Sequence, residues 1–362
     1  MLDFIREFKF GRPQQIAALL LLAFIALTLQ AHDRPQHSVS ESHVGGLVPA
    51  PTAPAIHGVL ITRLGTLFGV TIRHLGVTGT DRFIFFLVLF LKFAMLAFGL
   101  SLAGALWWVT RRLYNDSGGY IALAMFCFSL PMILYSSRVS PDIIAAWGLY
   151  GLIYTAIGVA HTLYAPPRKW RPRILLLGTA LGVTAGAYFA AAMVGLILAA
   201  GFMLYLAPGR RKQSMGILAV SCVIALMWLF VFYGFDLHGL AQAMSTREAW
   251  ALGLRHTGAV VPGAQWRLMQ VLFVIALVTY IAWKRTRYFG NTAPLIACFV
   301  LHLIGHDGAQ AAIWALPFVY TFVGGISADL LETRRGKLVG WSLAGAGAAY
   351  AALAVSSVWF QR

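Results

Sequence analysis

The stretch Phe83–Val109 has the sequence FIFFLVLFLKFAMLAFGLSLAGALWWV and contains a single charged residue, Lys92. A helix of this length rises about 40 Å, which exceeds the roughly 30 Å of a bilayer's hydrocarbon core. Similar apolar runs recur along the 362-residue chain, of which 59% is hydrophobic and only 11% charged. A soluble domain cannot bury so much apolar surface, so the sequence predicts an all-α, polytopic transmembrane helical bundle.

Basic residues cluster in short loops that alternate along the chain, and they produce a net charge of +16. The clusters are Arg6/Lys9/Arg12, Arg111/Arg112, Arg168/Lys169/Arg171/Arg173, Arg210/Arg211/Lys212, Lys284/Arg285/Arg287 and Arg334/Arg335/Lys337. Cytoplasmic loops of membrane proteins carry such an excess of Lys and Arg. We therefore interpret the charge as a mark of topology in a bacterial inner membrane and not of nucleic-acid binding.

Threading the apolar runs between these clusters predicts about eleven spans, with the N-terminus cytoplasmic and the C-terminus periplasmic. The spans are predicted at 14–31, 83–109, 119–136, 142–163, 174–187, 189–206, 215–235, 267–284, 291–305, 309–331 and 338–359. The run at 174–187 is short and contains three glycines, so we allow that it bends back within the membrane. The first run is too long, and lacks a clear small-residue cleavage site, for a cleaved signal peptide. Residues 1–362 are predicted to form one transmembrane domain without a separate soluble domain.

Two longer segments are predicted on the periplasmic face. The first, 32–82, holds a Pro-rich link and then apolar residues at helical spacing from Ile56 to Ile72, with His57, Arg63 and Arg73 between them. This pattern predicts an amphipathic helix lying along the membrane surface. The second segment is 236–266, which carries histidines and arginines of its own.

Acids, arginines and histidines gather on this predicted outer face, and lysine is absent from its loops. The acids are Asp33, Glu41, Asp81, Asp142, Asp236, Glu248 and Asp307. Arginine suits bidentate binding of phosphate better than lysine does. We therefore expect the chemistry of the chain to lie at this face.

The order of these features resembles the GT-C superfamily, in particular glycosyltransferase family 39, the dolichyl-phosphate-mannose-protein mannosyltransferase-like branch. The matching places are His32-Asp33 and Ser40-Glu41 in the first outer loop, Ala53-Pro54-Ala55-Ile56-His57 before the surface helix, and Thr80-Asp81-Arg82-Phe83 at the second span. Farther along, Leu130-Pro131, Tyr135–Asp142 and His302–Phe318 resemble the family's later outer turns. The resemblance covers most of the chain as an ordered pattern.

The resemblance implies transfer of a sugar from a polyprenyl-phosphate-sugar donor at the periplasmic face. Asp33 or Glu41 would then be the general base that deprotonates the acceptor, and both are named as catalytic candidates. Candidates for binding the lipid phosphate are Arg63, Arg82, Lys92, Arg138, His57 and His306. We expect no tightly bound cofactor and no metal; the expected partners are membrane lipids, the donor and other membrane proteins.

Several of these residues have a structural interpretation as well. Arg138 would equally anchor to lipid headgroups, and Asp142 would cap a helix, since a carboxylate is favoured in the first turn. Lys92 lies about 14 Å into its span, where a charge must face protein, water or a lipid phosphate. His302 and His306 have ligand spacing, but no third partner is evident.

Two other functions remain open from the sequence. Seven residues separate Asp33 from Glu41, whereas the family's acidic pair is adjacent or nearly so. The split pair would suit a catalytically inactive structural subunit of a larger membrane complex. A transporter or flippase would be expected to show internal repeats or paired broken helices with intramembrane charges.

Overall fold

The computed structural model describes residues 12–32, 58–74, 80–164, 171–250, 263–304 and 309–360. Throughout these residues the regular structure is helical, which confirms the predicted all-α class. The helices are α1 (Arg12–His32), α2 (Val59–His74), α3 (Thr80–Cys127), α4 (Leu130–Ser137), α5 (Pro141–Thr162), α6 (Arg171–Ala187), α7 (Phe189–Leu206), α8 (Arg211–Phe232), α9 (Leu237–Ser245), α10 (Ala264–Ala282), α11 (Phe289–Ile304), α12 (Ala309–Leu331) and α13 (Gly336–Phe360).

Among the described residues, eight helices are long and apolar enough to cross a membrane. One of them, Arg82–Cys127, turns back on itself at Asn115, where φ is 77°. The turn is closely packed, because a Cβ added at Gly119 would lie only 2.9 Å from that of Arg111. The break between predicted spans two and three is therefore confirmed, while the total of eleven spans stays a prediction.

The predicted span at 119–136 is not a single helix. The second arm of α3 ends at Cys127, and α4 begins anew at Leu130. Pro131 has no N–H with which to continue the helical hydrogen bonds, and Ser129 caps the new helix. Gln265 of α10 binds both freed backbone groups: it accepts from the Leu130 N–H at 2.9 Å and donates to the Phe128 carbonyl at 2.6 Å.

The glycine-rich run at 174–187 does not bend back. It forms the continuous helix α6, which reverses direction into α7 at Tyr188. Its glycines serve close packing against α8, since a Cβ at Gly178, Gly182 or Gly186 would approach Ile224, Trp228 or Phe232 within 2.6 to 2.8 Å. Small residues at such spacing let two helical backbones approach closely.

The predicted helix after the Pro-rich link is confirmed as α2. It buries Val59, Leu60, Ile61 and Ile72 against the bundle, while Leu67 and Val70 are exposed. The Gly58 N–H donates to the Ala187 carbonyl at 2.9 Å, which fixes the start of α2 at the turn between α6 and α7. That α2 lies along a membrane surface remains a prediction.

The core is built around α5 and α12, whose apolar windows are mostly buried, whereas only a small share of α10 and α13 is buried. The helix α12 packs between α3, α5 and α11. The first turns of α5 and α12 lie at the same end of the bundle as the start of α2, because Trp314 of α12 contacts Tyr188 beside Ala187. This arrangement places the candidate site.

Candidate functional site

The turn between α4 and α5 holds an acid at its centre. Pro141 disfavours a helical conformation for the residue before it, and Ser140 is accordingly extended (φ −138°, ψ 140°). The Ser140 hydroxyl accepts from the Asp142 N–H at 3.2 Å and donates to Asp142 Oδ2 at 2.6 Å. Asp142 therefore lies in the first turn of α5, as the capping interpretation predicted.

A second donor reaches the same carboxylate from the α6–α7 turn. The Tyr188 hydroxyl donates to Asp142 Oδ1 at 3.1 Å, and Asp142 is only 4% exposed. Burial first, and then the Asp142 charge, raise the pKa of the Tyr188 hydroxyl well above its ordinary value. Tyr188 consequently remains a proton donor to the carboxylate at any physiological pH.

Arg138 lies just after the end of α4, four residues before this acid. Ser140, Asp142 and Tyr188 are joined by hydrogen bonds and form what we call the Asp142 cluster; the buried Tyr135 precedes Arg138 by about one turn of α4. Arg138 is half-buried and its Nε atom is buried. A guanidinium in this position suits the binding of phosphate oxygens, because it presents several donors in a fixed plane.

An indole closes the cluster on the side of α12. Trp314 packs against Tyr188 with ring centroids 5.3 Å apart and is 5% exposed. Its Nε1 is buried and has no hydrogen-bond partner within the described part of the chain. A buried N–H of this kind is costly unless something accepts from it, so Trp314 has an unused donor beside the Asp142 cluster.

The start of α2 covers the neighbouring side. Gly58 has φ +66°, and a Cβ there would lie 3.7 Å from Pro141. Arg63, one turn farther along α2, lies beside Gly234 just after the end of α8. Helix α2 thus joins the beginning of α5, the α6–α7 turn and the end of α8 at one end of the bundle.

The other predicted site residues lie on α3 and α11 or outside the described residues. Arg82 is exposed in the first turn of α3, and Lys92 is half-buried ten residues farther along the same helix. Asp33, Glu41, His57 and His306 lie outside the described residues. His302 is exposed near the end of α11, and the described residues contain no group of three metal-binding side chains.

Sequence reasoning missed Tyr188, Ser140 and Trp314 as members of the site. A signal for Tyr188 was present, since the predicted spans 174–187 and 189–206 leave it alone in an outer turn. The sequence does not reveal the contact of Tyr188 with Asp142, because the two residues are 46 positions apart.

No protein-family model and no curated protein sequence matches the chain. Solved structures, however, match the chain. The apo oligosaccharyltransferase of Archaeoglobus fulgidus matches with a TM-score of 0.60 and 12% identity, covering 97% of this chain and 56% of that one. The same enzyme tethered to an acceptor peptide matches with a TM-score of 0.58 and 13% identity, covering 96% and 55%.

These matches confirm the predicted GT-C fold, since oligosaccharyltransferase has that fold. The chain spans about half the length of the oligosaccharyltransferase structures that it matches. The resemblance to the family 39 branch stays a prediction.

Proposed function

We propose that this chain is a membrane glycosyltransferase of GT-C type. It moves a sugar from a polyprenyl-phosphate-sugar donor to an acceptor at the end of the bundle that holds Asp142. The observation that carries the proposal is that Arg138, half-buried just after the end of α4, and the buried Asp142–Tyr188 pair lie at the same end of a GT-C fold. A cation for a leaving phosphate and a fixed carboxylate thereby stand together at the end of the bundle.

The reaction forms a bond between the acceptor oxygen and the anomeric carbon and breaks the bond from that carbon to the lipid phosphate. The departing phosphate gains negative charge in the transition state, and Arg138 stabilises it. Arg63, Arg82, Lys92, His57 and His306 are the further candidates for holding the phosphate. No tightly bound cofactor or metal is included in this proposal.

Asp33 and Glu41 remain our candidates for the general base, which takes the proton of the acceptor. Asp142 suits that task less well, because its two oxygens already accept from Ser140 and Tyr188 and its side chain is almost fully buried. A general base must reach the proton that it abstracts. We assign Asp142 a positioning role, in which its side chain holds the Tyr188 hydroxyl.

The proposed location follows from the loop charges. With the basic loops cytoplasmic, the Asp142 end of the bundle faces the periplasm of a bacterial inner membrane. The donor then reaches the site from the bilayer, with its phosphate near the surface helix α2. Membrane lipids and the donor are the proposed partners, together with other membrane proteins if the chain works within an assembly.

Turnover by the purified protein tests the proposal. The protein is reconstituted in lipid nanodiscs and supplied with a panel of polyprenyl-phosphate sugars, and release of polyprenyl phosphate is measured. We expect Arg138→Gln to lower kcat about 100-fold, as for loss of one transition-state donor. Arg112→Gln is the matched control, because Arg112 is an exposed arginine in the α3 turn at the opposite end of the bundle.

The base assignment is tested in the same assay. Asp33→Asn or Glu41→Gln should abolish turnover, and full activity in both variants would reject Asp33 and Glu41 as bases. Wild-type protein that turns over no donor of the panel, and that purifies without bound lipid phosphate, would overturn the enzymatic proposal. That result would instead support the inactive structural subunit.

A further inference from the structure

Trp250 is a fixed aromatic ring at the same end of the bundle. It closes the 3₁₀ turn Arg247–Trp250 that follows α9, and its Nε1 donates to the Met244 carbonyl at 2.7 Å. The ring stacks on Phe189 with centroids 5.5 Å apart and an interplanar angle of 27°. Trp250 nevertheless remains 36% exposed.

The ring is connected directly to the candidate site. Phe189, which lies under Trp250, is the residue after Tyr188, the donor to Asp142. Phe189 is itself only 3% exposed and is held within the first turn of α7. The indole thus packs on the residue next to the donor that holds Asp142.

Interfacial tryptophans usually direct the indole N–H toward headgroups and water while the ring lies in the apolar region. Trp250 does not do this, because its N–H is donated to Met244 of its own chain. Phe189 covers one face of the ring, so the exposed area lies on the other face and the edge. That surface is rigid and electron-rich, and it offers no hydrogen-bonding group of its own.

We propose that the exposed face of Trp250 is a platform on which a sugar ring of the substrate stacks. The polarised C–H groups on one face of a sugar are attracted to the negative face of an indole, and the contact excludes water from both. This inference rests on the proposed function, because it takes the Asp142 end of the bundle as the place where sugar is transferred. The sugar belongs either to the lipid-linked donor or to the acceptor.

Binding is tested without catalysis by ¹⁹F NMR. The protein is labelled with 5-fluorotryptophan and placed in lipid nanodiscs free of detergents with sugar headgroups. The Trp250 signal is assigned by its disappearance in Trp250→Phe, and the protein is titrated with a panel of methyl hexosides and pentosides. We expect at least one glycoside to shift the Trp250 signal saturably while the Trp359 signal stays unchanged. Trp359 is the matched control, since it is an exposed indole near the end of α13.

Two outcomes of the titration would overturn the platform. One is the absence of a Trp250 shift with every glycoside of the panel. The other is an equal shift of Trp250 and Trp359, because it would mean that the sugars act on exposed indoles without a site. A specific Trp250 shift in protein that turns over no donor would retain the platform while the enzymatic proposal fails.

Kinetics distinguish the two sources of the sugar. Trp250→Leu should raise KM roughly tenfold for the substrate whose sugar stacks there, and Trp250→Phe should restore most of the loss. A rise in the KM of the lipid-linked sugar alone assigns the platform to the donor, and a rise for the acceptor alone assigns it to the acceptor. Turnover with both KM values unchanged in Trp250→Leu would overturn the platform and leave the proposed function standing.

Discussion

The Tyr188 hydroxyl donates a hydrogen bond to Asp142 Oδ1 across 3.1 Å and so joins the α6–α7 turn to the first turn of α5. With Ser140 on the other oxygen, the carboxylate is held from two sides. A buried acid remains in place only when its oxygens have such donors. This relationship fixes the Asp142 side chain between the α4–α5 turn and the α6–α7 turn.

Removing the Tyr188 hydroxyl should leave the Asp142 side chain with one donor fewer and so destabilise the fold. We expect Tyr188→Phe to lower the free energy of unfolding by about 1 to 3 kcal/mol, because Asp142 Oδ1 loses its donor in a buried place. Thermal unfolding in a fixed detergent measures the change. The control is Tyr205→Phe, since Tyr205 is 73% exposed and should tolerate the change. Equal melting temperatures for the two variants would contradict the structural importance of the Tyr188–Asp142 bond.

The glycine face of α6 predicts a steric effect. A Cβ at Gly182 would lie 2.8 Å from Trp228 Cβ and 3.2 Å from Ala225 backbone atoms, so Gly182→Leu must push α6 and α8 apart. We expect a loss of about 1 to 3 kcal/mol or a failure to fold. Gly201→Ala is the opposite case, because nothing lies within 4 Å of its added Cβ. That variant should be neutral or slightly stabilising, and a melting temperature of Gly182→Leu at or above the wild-type value would refute the packing argument.

The broken helix between α3 and α4 depends on Gln265. Its side chain bonds the Leu130 N–H and the carbonyls of Phe128 and Tyr350. Gln265→Leu leaves the Leu130 N–H and the Phe128 carbonyl unpaired in an apolar environment, and we expect a loss of about 2 to 4 kcal/mol. Gln242→Leu, at an exposed position of α9, is the control. Similar unfolding curves for both variants would show that the break is stable without Gln265.

The predicted sidedness is testable by cysteine labelling. Cys127, Cys222 and Cys298 are first replaced by alanine, and single cysteines are placed at Ser245 and Gln213, which are both exposed. With intact cells and a membrane-impermeant maleimide, Ser245→Cys should label and Gln213→Cys should label only after permeabilisation. The reverse pattern would put the Asp142 end in the cytoplasm and exclude the proposed periplasmic site.

Much of the architecture is determined by the sequence through local properties of the chain. Length and hydropathy define the long helices, and the break at Asn115 and the start of α5 at Pro141 follow from their flanking residues. The place of Asp142 in the first turn of α5 was also predictable, because Ser-Pro-Asp is a local signal for the start of a helix; the N-cap itself is Ser140. The matched structures confirm that this series of helices forms a GT-C fold.

The tertiary structure alone decided which residues share a site. The continuous hydropathy of 119–136 concealed the break at Ser129, since an apolar run carries no sign that a distant Gln265 will bind its freed backbone groups. The glycines of α6 suggested a bend, yet they permit contact with α8. Likewise, Asp142, Tyr188 and Trp314 come from three parts of the chain. The physical reason is that hydropathy records how each residue interacts with lipid or water, whereas a buried hydrogen bond depends on which helices pack together.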